Sequence, residues 1–316
     1  MEDSLFIFSF NRMKKFILNC IIGLIIVLAL DFGIGRGLEY FYFKQSAGFQ
    51  HRTTHSIEHT KEDILVFGSS RANHHYKPDV FERKLKNTFY NTGRDGNFIF
   101  YQTAVLRSVL KRYKPKLILY DFTGEFTYNQ SDYDRLSSLL PYYKHHPEIR
   151  SIVNLRSSYE PVKNLSSIYP YNSTIGNIVF GNINIKGLQT KANKGYVPLF
   201  GEWKEPIENH HSVLPYEIDK NKVTVFNEFL NLCKQHEIPV VVLVSPIYYK
   251  YEDDFSIALC KKLCEEKKVP FFDFTKDKDF LKAPHLFADI EHLNDNGAVI
   301  FSEKVVDLIK AHLKIE

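Results

Sequence analysis

Residue types that together support acyl transfer occur at two widely separated places in the chain. Ser70 follows an apolar stretch in DILVFGSSR (63–71), and Asp289 and His292 stand three residues apart in ADIEHLNDNG (288–297). A serine hydroxyl becomes a nucleophile when an imidazole removes its proton, and the imidazole needs an acceptor on its other nitrogen. We therefore predict Ser70 as nucleophile, His292 as general base and Asp289 as the carboxylate that orients it.

Donors for the oxyanion of such a reaction are also expected near Ser70. A serine at a helix N-terminus has backbone N–H groups beside it, so the Ser70 amide is one predicted donor. The Gly93 amide, in the loop NTGRDG (91–96), is the second. Arg71 and Arg94 are candidates for holding an anionic or hydroxyl-rich substrate, with a solvated or ion-paired arginine as the alternative interpretation.

The elements that must position these residues alternate along the chain. Short apolar runs bounded by turn residues predict strands buried on both faces, and amphipathic patterns between them predict helices. This order indicates an α/β fold with a doubly wound parallel sheet. Ligands bind at the carboxyl ends of such strands, where the three loops above meet. The predicted strands cover 63–67, 88–92, 116–122, 240–244 and 270–274.

One long stretch, 124–216, interrupts the alternation between the third and fourth predicted strands. It is rich in Tyr, Asn and Ser and contains the only tryptophan, Trp203. Unstructured loops of this length are rare in compact domains, so a cap or lid is expected. The predicted organisation is a leader and anchor (1–43), a stalk (44–61) and an α/β domain (62–316) that carries the 124–216 insertion.

The N-terminal region predicts a membrane anchor. MKKFILNCIIGLIIVLAL (13–30) approaches the ~20 apolar residues that cross a bilayer. Arg12, Lys14 and Lys15 precede it, which places the N-terminus in the cytoplasm and the domain outside, in a bacterial envelope. A cleaved signal peptide is the alternative, although no A-x-A-like site follows closely. We expect an uncleaved single-pass anchor through residues 13–35.

Composition limits the other function classes. The 316 residues are 44% hydrophobic and 25% charged, which allows a full core, and the net charge of +4 comes without a basic stripe interleaved with aromatics. Nucleic acid is therefore not an expected partner. Cys233, Cys260 and Cys264 are expected to be small core residues. They have no neighbouring Cys/His pair at zinc-ligand spacing, so we predict no metal and no cofactor.

The motifs resemble those of the SGNH (GDSL-like) hydrolase superfamily. The resemblance is closer to its membrane-anchored envelope branch, which includes teichoic-acid D-alanine-transfer and alginate acetylation proteins. It spans roughly residues 62–314 outside the insertion and implies a flavodoxin-like fold. In this resemblance Ser70 matches the nucleophile, Gly93 the oxyanion glycine, and Asp289 and His292 the D-x-x-H pair.

One family motif is replaced in this chain. A G-x-N-D block should follow the third strand, where this chain reads YDFTGEFTYN (120–129). Thr123, Glu125 and Asn129 are the candidates for the missing asparagine, and Thr123 is also a candidate substrate-binding residue. Loss of one oxyanion donor costs about 3–4 kcal/mol in the transition state.

The resemblance implies a membrane-anchored extracytoplasmic serine acyl-ester hydrolase or O-acyl (acetyl) transferase. Its substrate would be a cell-surface polysaccharide or another acylated molecule, and a membrane-bound acyl donor protein is a candidate partner. The alternative is a non-catalytic SGNH-fold protein for glycan binding or envelope assembly. A flavodoxin-like nucleotide binder is disfavoured because the loop after the first strand lacks G-x-G-x-x-G and Walker spacing.

Overall fold

The chain folds around one all-parallel sheet of five strands in the order β2-β1-β3-β5-β7, with a separate parallel pair, β4-β6. A computed structural model describes residues 2–183, 192–210, 217–251 and 254–313. All five sequence-predicted strands are present in the main sheet, which confirms the predicted fold class. The strands are β1 (Ile64–Gly68), β2 (Phe89–Asn91), β3 (Leu117–Asp121), β4 (Glu208–His210), β5 (Val240–Val244), β6 (Tyr249–Tyr251) and β7 (Phe271–Asp273).

Helices cover both faces of the sheet. Alternate side chains of a strand point to opposite faces, so Leu65 and Phe67 pack with α5, α10 and α11, while Ile64 and Val66 pack with α3, α4 and α13. The helices are α1 (Glu2–Phe43), α2 (Gly48–Thr54), α3 (Ser70–His75), α4 (Pro78–Leu85), α5 (Ile99–Arg112), α6 (Gln130–Asp134), α7 (Arg150–Val153), α8 (Glu160–Lys163), α9 (Ile175–Asn182), α10 (Lys220–Gln235), α11 (Phe255–Lys267), α12 (Lys278–Leu281) and α13 (Asp295–His312).

The register of the parallel strands brings their carboxyl ends together. Gly68 at the end of β1 pairs with Asp121 at the end of β3, and Asp121 pairs with Leu243 near the end of β5. The loops that follow these strands therefore begin side by side. This edge carries Ser70, Thr123 and Ser245.

The first helix extends away from the sheet. The Arg12–Phe43 part of α1 is long and apolar enough to cross a membrane, and its most apolar window is not buried against any other part of the structure. The three cysteines outside this helix, Cys233, Cys260 and Cys264, are buried in the core and unpaired.

Residues 44–61 are packed against the domain and are not an extended stalk. They form α2 and one π-helical segment, His55–His59, which lies against α5. Ile57 and Thr53 are almost fully buried there. The sequence predicted a stalk here, but Thr53, Ser56 and Ile57 are buried against the domain.

The described parts of the insertion, 124–183 and 192–210, also contribute to the main core. They contain α6 to α9, several 3-10 turns and β4. Leu136, Leu139 and Leu140 are buried in the same cluster as α5 and α10. The remaining residues of the predicted 124–216 insertion, 184–191 and 211–216, lie outside the described residues.

Candidate active site

Ser70 is positioned by a tight turn from β1 into α3. Gly68 has φ +142°, and a Cβ atom there would lie 2.7 Å from the Asp121 carbonyl oxygen, so only glycine fits. Ser69 is the N-cap of α3, and Ser70 is its first residue. The amide of a first helical residue has no intrahelical acceptor. The turn thus places the Ser70 hydroxyl and amide at the carboxyl edge of the sheet.

His292 and Asp289 lie in the loop before α13 and reach Ser70 across the fold. His292 Nε2 is 2.7 Å from Ser70 Oγ, and His292 Nδ1 is 2.9 and 3.0 Å from the two carboxylate oxygens of Asp289. Since Asp289 accepts at Nδ1, Nε2 is free to accept the serine proton. The structure thus brings the three predicted residues together in the order that activates a hydroxyl.

The loop is folded around the Asp289 carboxylate. Its Oδ1 also accepts the backbone N–H groups of Glu291 and His292, at 2.8 and 2.9 Å. Burial pushes the pKa of Asp289 upward, but the hydrogen bond from His292 and these two amides outweigh it and hold that pKa below its usual range. Asp289 is therefore an anion at neutral pH, as an orienting partner of an imidazole must be.

A cavity of about 310 Å³, lined by both polar and apolar residues, opens beside Ser70. Both the nucleophile and the loop that follows β3 line it. A cavity of this size accommodates a small acyl group with part of an alcohol. Its lining residues are Ser69, Ser70, Arg71, Gly96, Phe98, Thr123, Ile247, Tyr249, Ile257 and Glu291.

Gly93 does not line this cavity, which corrects the predicted second oxyanion donor. Its N–H donates to Asn91 Oδ1 at 2.9 Å. A Cβ atom at Gly93 would lie 2.6 Å from the Asn73 amide nitrogen, so this glycine allows the loop to pack against α3. The structure therefore gives Gly93 a packing role.

Gly96 is the glycine that sequence reasoning missed. It lines the cavity with φ +65°, and its amide makes no hydrogen bond among the described residues. The available signal was the second glycine of NTGRDG, three residues after Gly93 on the same loop. The choice between them depends on the loop's path, which the spacing alone does not give.

Of the three candidates after β3, only Thr123 lines the cavity. Its Oγ1 is shielded from solvent and has no hydrogen-bond partner among the described residues. Glu125 instead accepts the Ile99 amide at 2.8 Å and the Tyr120 hydroxyl at 2.7 Å in the core. Asn129 caps α6. The Thr123 hydroxyl can therefore donate a hydrogen bond that it does not make in this structure.

The two predicted substrate-binding arginines have different surroundings. Arg71 is buried at the cavity and donates to the carbonyl oxygens of Phe122 and Ser245, at 2.9 and 3.4 Å. It therefore ties together the chain segments that follow β3 and β5. Arg94 donates to Thr53 Oγ1 and to the Phe49 carbonyl oxygen in α2. The structure does not bring Arg94 to the cavity.

The two histidines that follow Ser70 in α3, His74 and His75, are both buried. The Leu293 N–H donates to His75 Nε2 at 3.0 Å, so the His75 proton lies on Nδ1, which donates to Ser245 Oγ at 3.0 Å. Burial lowers the pKa of His75 well below its usual value, which keeps the ring neutral. His75 thus fixes the backbone next to His292. His74 Nδ1 donates to the Val197 carbonyl oxygen at 2.7 Å.

Comparison with known proteins found matches among solved structures. No protein-family model matches the chain, and no curated protein matches it either. The crystal structure of a "putative acylhydrolase" from Bacteroides fragilis is 12% identical, with a TM-score of 0.41, over 85% of this chain and 99% of that chain. At this identity and TM-score, the likeness bears on neither activity nor substrate.

Proposed function

We propose that this chain is a serine acyl-ester hydrolase or O-acyl transferase of SGNH type. The observation that carries the proposal is the Ser70–His292–Asp289 arrangement, with its 2.7 Å and 2.9 Å contacts, beside a cavity. A hydroxyl with its own imidazole and an oriented carboxylate is the arrangement that acyl transfer requires.

In the proposed reaction, Ser70 Oγ attacks the ester carbonyl carbon while His292 Nε2 takes the hydroxyl proton. The carbonyl oxygen becomes negative and accepts hydrogen bonds from the amides of Ser70 and Gly96 and from Thr123 Oγ1. The C–O bond to the leaving alcohol then breaks as His292 returns its proton to the alcohol oxygen. A water molecule or an acceptor hydroxyl then attacks the acyl carbon while His292 Nε2 takes its proton. The bond from this carbon to Ser70 Oγ breaks as His292 returns the proton to the serine.

The proposed substrate is an acylated, most simply acetylated, polysaccharide outside the cytoplasm. Two features support this assignment: α1 is long and apolar enough to anchor the chain in a membrane, and three basic residues precede its apolar stretch. By the positive-inside rule, we expect the domain on the outer side. The mixed polar and apolar cavity suits a small acyl group on a sugar hydroxyl.

Labelling with a fluorophosphonate tests the nucleophile. The full-length protein should form an adduct at Ser70, identified by mass spectrometry, and the adduct should disappear in Ser70→Ala and fall sharply in His292→Ala. Ser131→Ala, which removes a serine hydroxyl from α6 outside the cavity, should label like the native protein. A folded native protein that remains unlabelled would exclude the mechanism.

A substrate panel tests the reaction class. Acetylated polysaccharides and their de-acetylated forms should be incubated with the protein, with free acetate and acetyl groups on an added acceptor glycan measured separately. Acetate release indicates hydrolysis and acceptor labelling indicates transfer. If neither acetate nor acetylated acceptor forms while Ser70 is still labelled, the polysaccharide is rejected as substrate but Ser70 remains the proposed nucleophile.

A non-catalytic glycan-binding or envelope-assembly protein of the same fold is the second candidate. The observation that favours it is the threonine hydroxyl where the family has an asparagine amide. Under this candidate, Ser70→Ala leaves glycan binding and the cellular phenotype intact. Loss of the phenotype in that variant would reject it.

A further inference from the structure

One segment of the insertion runs along the outer part of α1; we call residues 160–183 the insertion arm. Near its middle, Ser166 Oγ and the Ser167 amide donate to the two carboxylate oxygens of Asp31, at 2.5 and 2.7 Å. Near its end, Asn182 Nδ2 donates to the Phe41 carbonyl oxygen at 2.8 Å. The arm is thus hydrogen-bonded to α1 at two positions, Asp31 and Phe41, which are ten residues apart in α1.

Close packing reinforces both contacts. A Cβ atom on Gly35 would lie 2.4 Å from Ser167, so α1 accepts the arm only because it has a glycine there. Tyr171 of the arm lies against Tyr42 with ring centres 5.7 Å apart. The arm therefore keeps a fixed position along the axis of α1.

The position of Asp31 sets the depth of the arm. Asp31 follows Lys15 by 16 residues, which is about 24 Å along a helix. With Lys14 and Lys15 at the cytoplasmic boundary of a hydrocarbon core about 30 Å thick, Asp31 lies close to the outer boundary. A carboxylate at this depth needs polar partners. Ser166 and Ser167 supply them, so this part of the arm lies at the boundary as well.

The arm exposes large apolar side chains on either side of these contacts. Leu165, next to Ser166, is 81% exposed, and Phe180 in α9 is 66% exposed. Val162 and Val179 are exposed as well. These side chains are on the segment that contacts α1, whose own apolar side chains from Met13 to Ile34 are exposed. Water is an unfavourable environment for this combined surface.

We propose that the insertion arm inserts into the outer leaflet of the lipid bilayer. Leu165 and Val162, close to the Asp31 contact, then lie among acyl chains beside α1, whereas Phe180 and Val179, close to the Phe41 contact about 15 Å further out along α1, lie among the headgroups. An adjacent cavity lined by Arg36, Glu39, Lys144 and Arg150 lies on the headgroup side, where basic side chains meet lipid phosphates. The arm fixes the tilt and height of the α/β domain over the membrane. This inference does not depend on the chemistry of Ser70.

Nitroxide accessibility tests the arm in the full-length protein. In a Cys20→Ala background, spin labels are attached to Leu165→Cys and, separately, to Val162→Cys; Cys233, Cys260 and Cys264 are buried. The matched control is Phe200→Cys, because Phe200 is also apolar and is 78% exposed. Each protein is placed in phosphatidylcholine–phosphatidylglycerol vesicles. Power saturation is measured with oxygen, which concentrates in lipid, and with a water-soluble nickel chelate.

The arm labels should be relaxed by oxygen severalfold more than by the nickel chelate, and the control label should show the opposite ratio. Equal nickel accessibility at the arm and the control would show that the arm is in water and would overturn the proposal. Exclusion of both reagents at the arm, or spin–spin broadening, would indicate a protein partner or a second copy and would overturn it too.

Discussion

Replacement of Thr123 by valine tests whether its hydroxyl acts in the transition state. Thr123 lines the cavity beside Ser70, and its Oγ1 has no hydrogen-bond partner among the described residues. Valine keeps the shape of the side chain and removes only the hydroxyl, so no ground-state hydrogen bond is lost. The free energy of unfolding should therefore change little.

The catalytic effect should be large by comparison. One oxyanion donor contributes about 3–4 kcal/mol to the transition state. At 1.36 kcal/mol for each factor of ten, Thr123→Val should lower kcat by about 10²- to 10³-fold. KM should stay nearly constant, because the bond forms only as the carbonyl oxygen becomes charged. Steady-state hydrolysis of p-nitrophenyl acetate and urea unfolding measure the two quantities.

Thr103→Val is the matched control. Thr103 is fully buried in α5, and its Oγ1 likewise has no hydrogen-bond partner among the described residues. It lies outside the cavity, so its removal should leave kcat unchanged with an equally small effect on unfolding. Equal kcat values for the Thr123 and Thr103 variants would refute the role of the Thr123 hydroxyl as a donor.

Two further predictions concern buried ionisable groups. His75→Phe leaves the Leu293 amide unpaired and frees the loop of His292, so kcat should fall with KM nearly constant. His75→Gln restores an acceptor and should recover part of the lost kcat. Equal losses of kcat in both variants would assign His75 a packing role only. Burial raises the pKa of Glu125 from 4.5 to about 7. Because the folded protein binds this proton more tightly than the unfolded chain, the free energy of unfolding should fall as pH rises from about 4.5 to 7, by up to about 3 kcal/mol. Urea unfolding at pH 5 and pH 7.5 should show this slope in the native protein but not in Glu125→Gln, and an unchanged slope in the variant would contradict the assignment.

The sheet and the proximity of the three candidate catalytic residues could be predicted because both follow from local pattern. Strands buried on both faces read as continuous apolar runs, as in the stretch that forms β5. Parallel strands bring the loops at their carboxyl ends to one edge, whatever the intervening sequence. Ser70 and His292 could therefore be placed together although 222 residues separate them.

The remaining features depend on tertiary packing, which sequence spacing does not encode. Gly93 and Gly96 share a loop, and only its path against α3 decides which one faces the cavity. Arg94 and Arg71 each follow a strand-end glycine by a short distance, yet one reaches α2 and the other the cavity. The burial of His75 likewise depends on α13 and on Ser245, which are distant in sequence.

The connection between α1 and the candidate site supports the proposal that the site works at a fixed distance from the membrane. Only residues 44–47 separate α1 from α2, so the connection spans at most ~15 Å. Arg52 in α2 donates to Asn73 Oδ1 at 3.2 Å, and Asn73 belongs to the helix that begins with Ser70. Arg94, in the loop that carries Gly96, also donates a hydrogen bond to α2. With α1 in the bilayer, Ser70 cannot move outward independently, and we infer that acylated chains must come to the membrane surface to react.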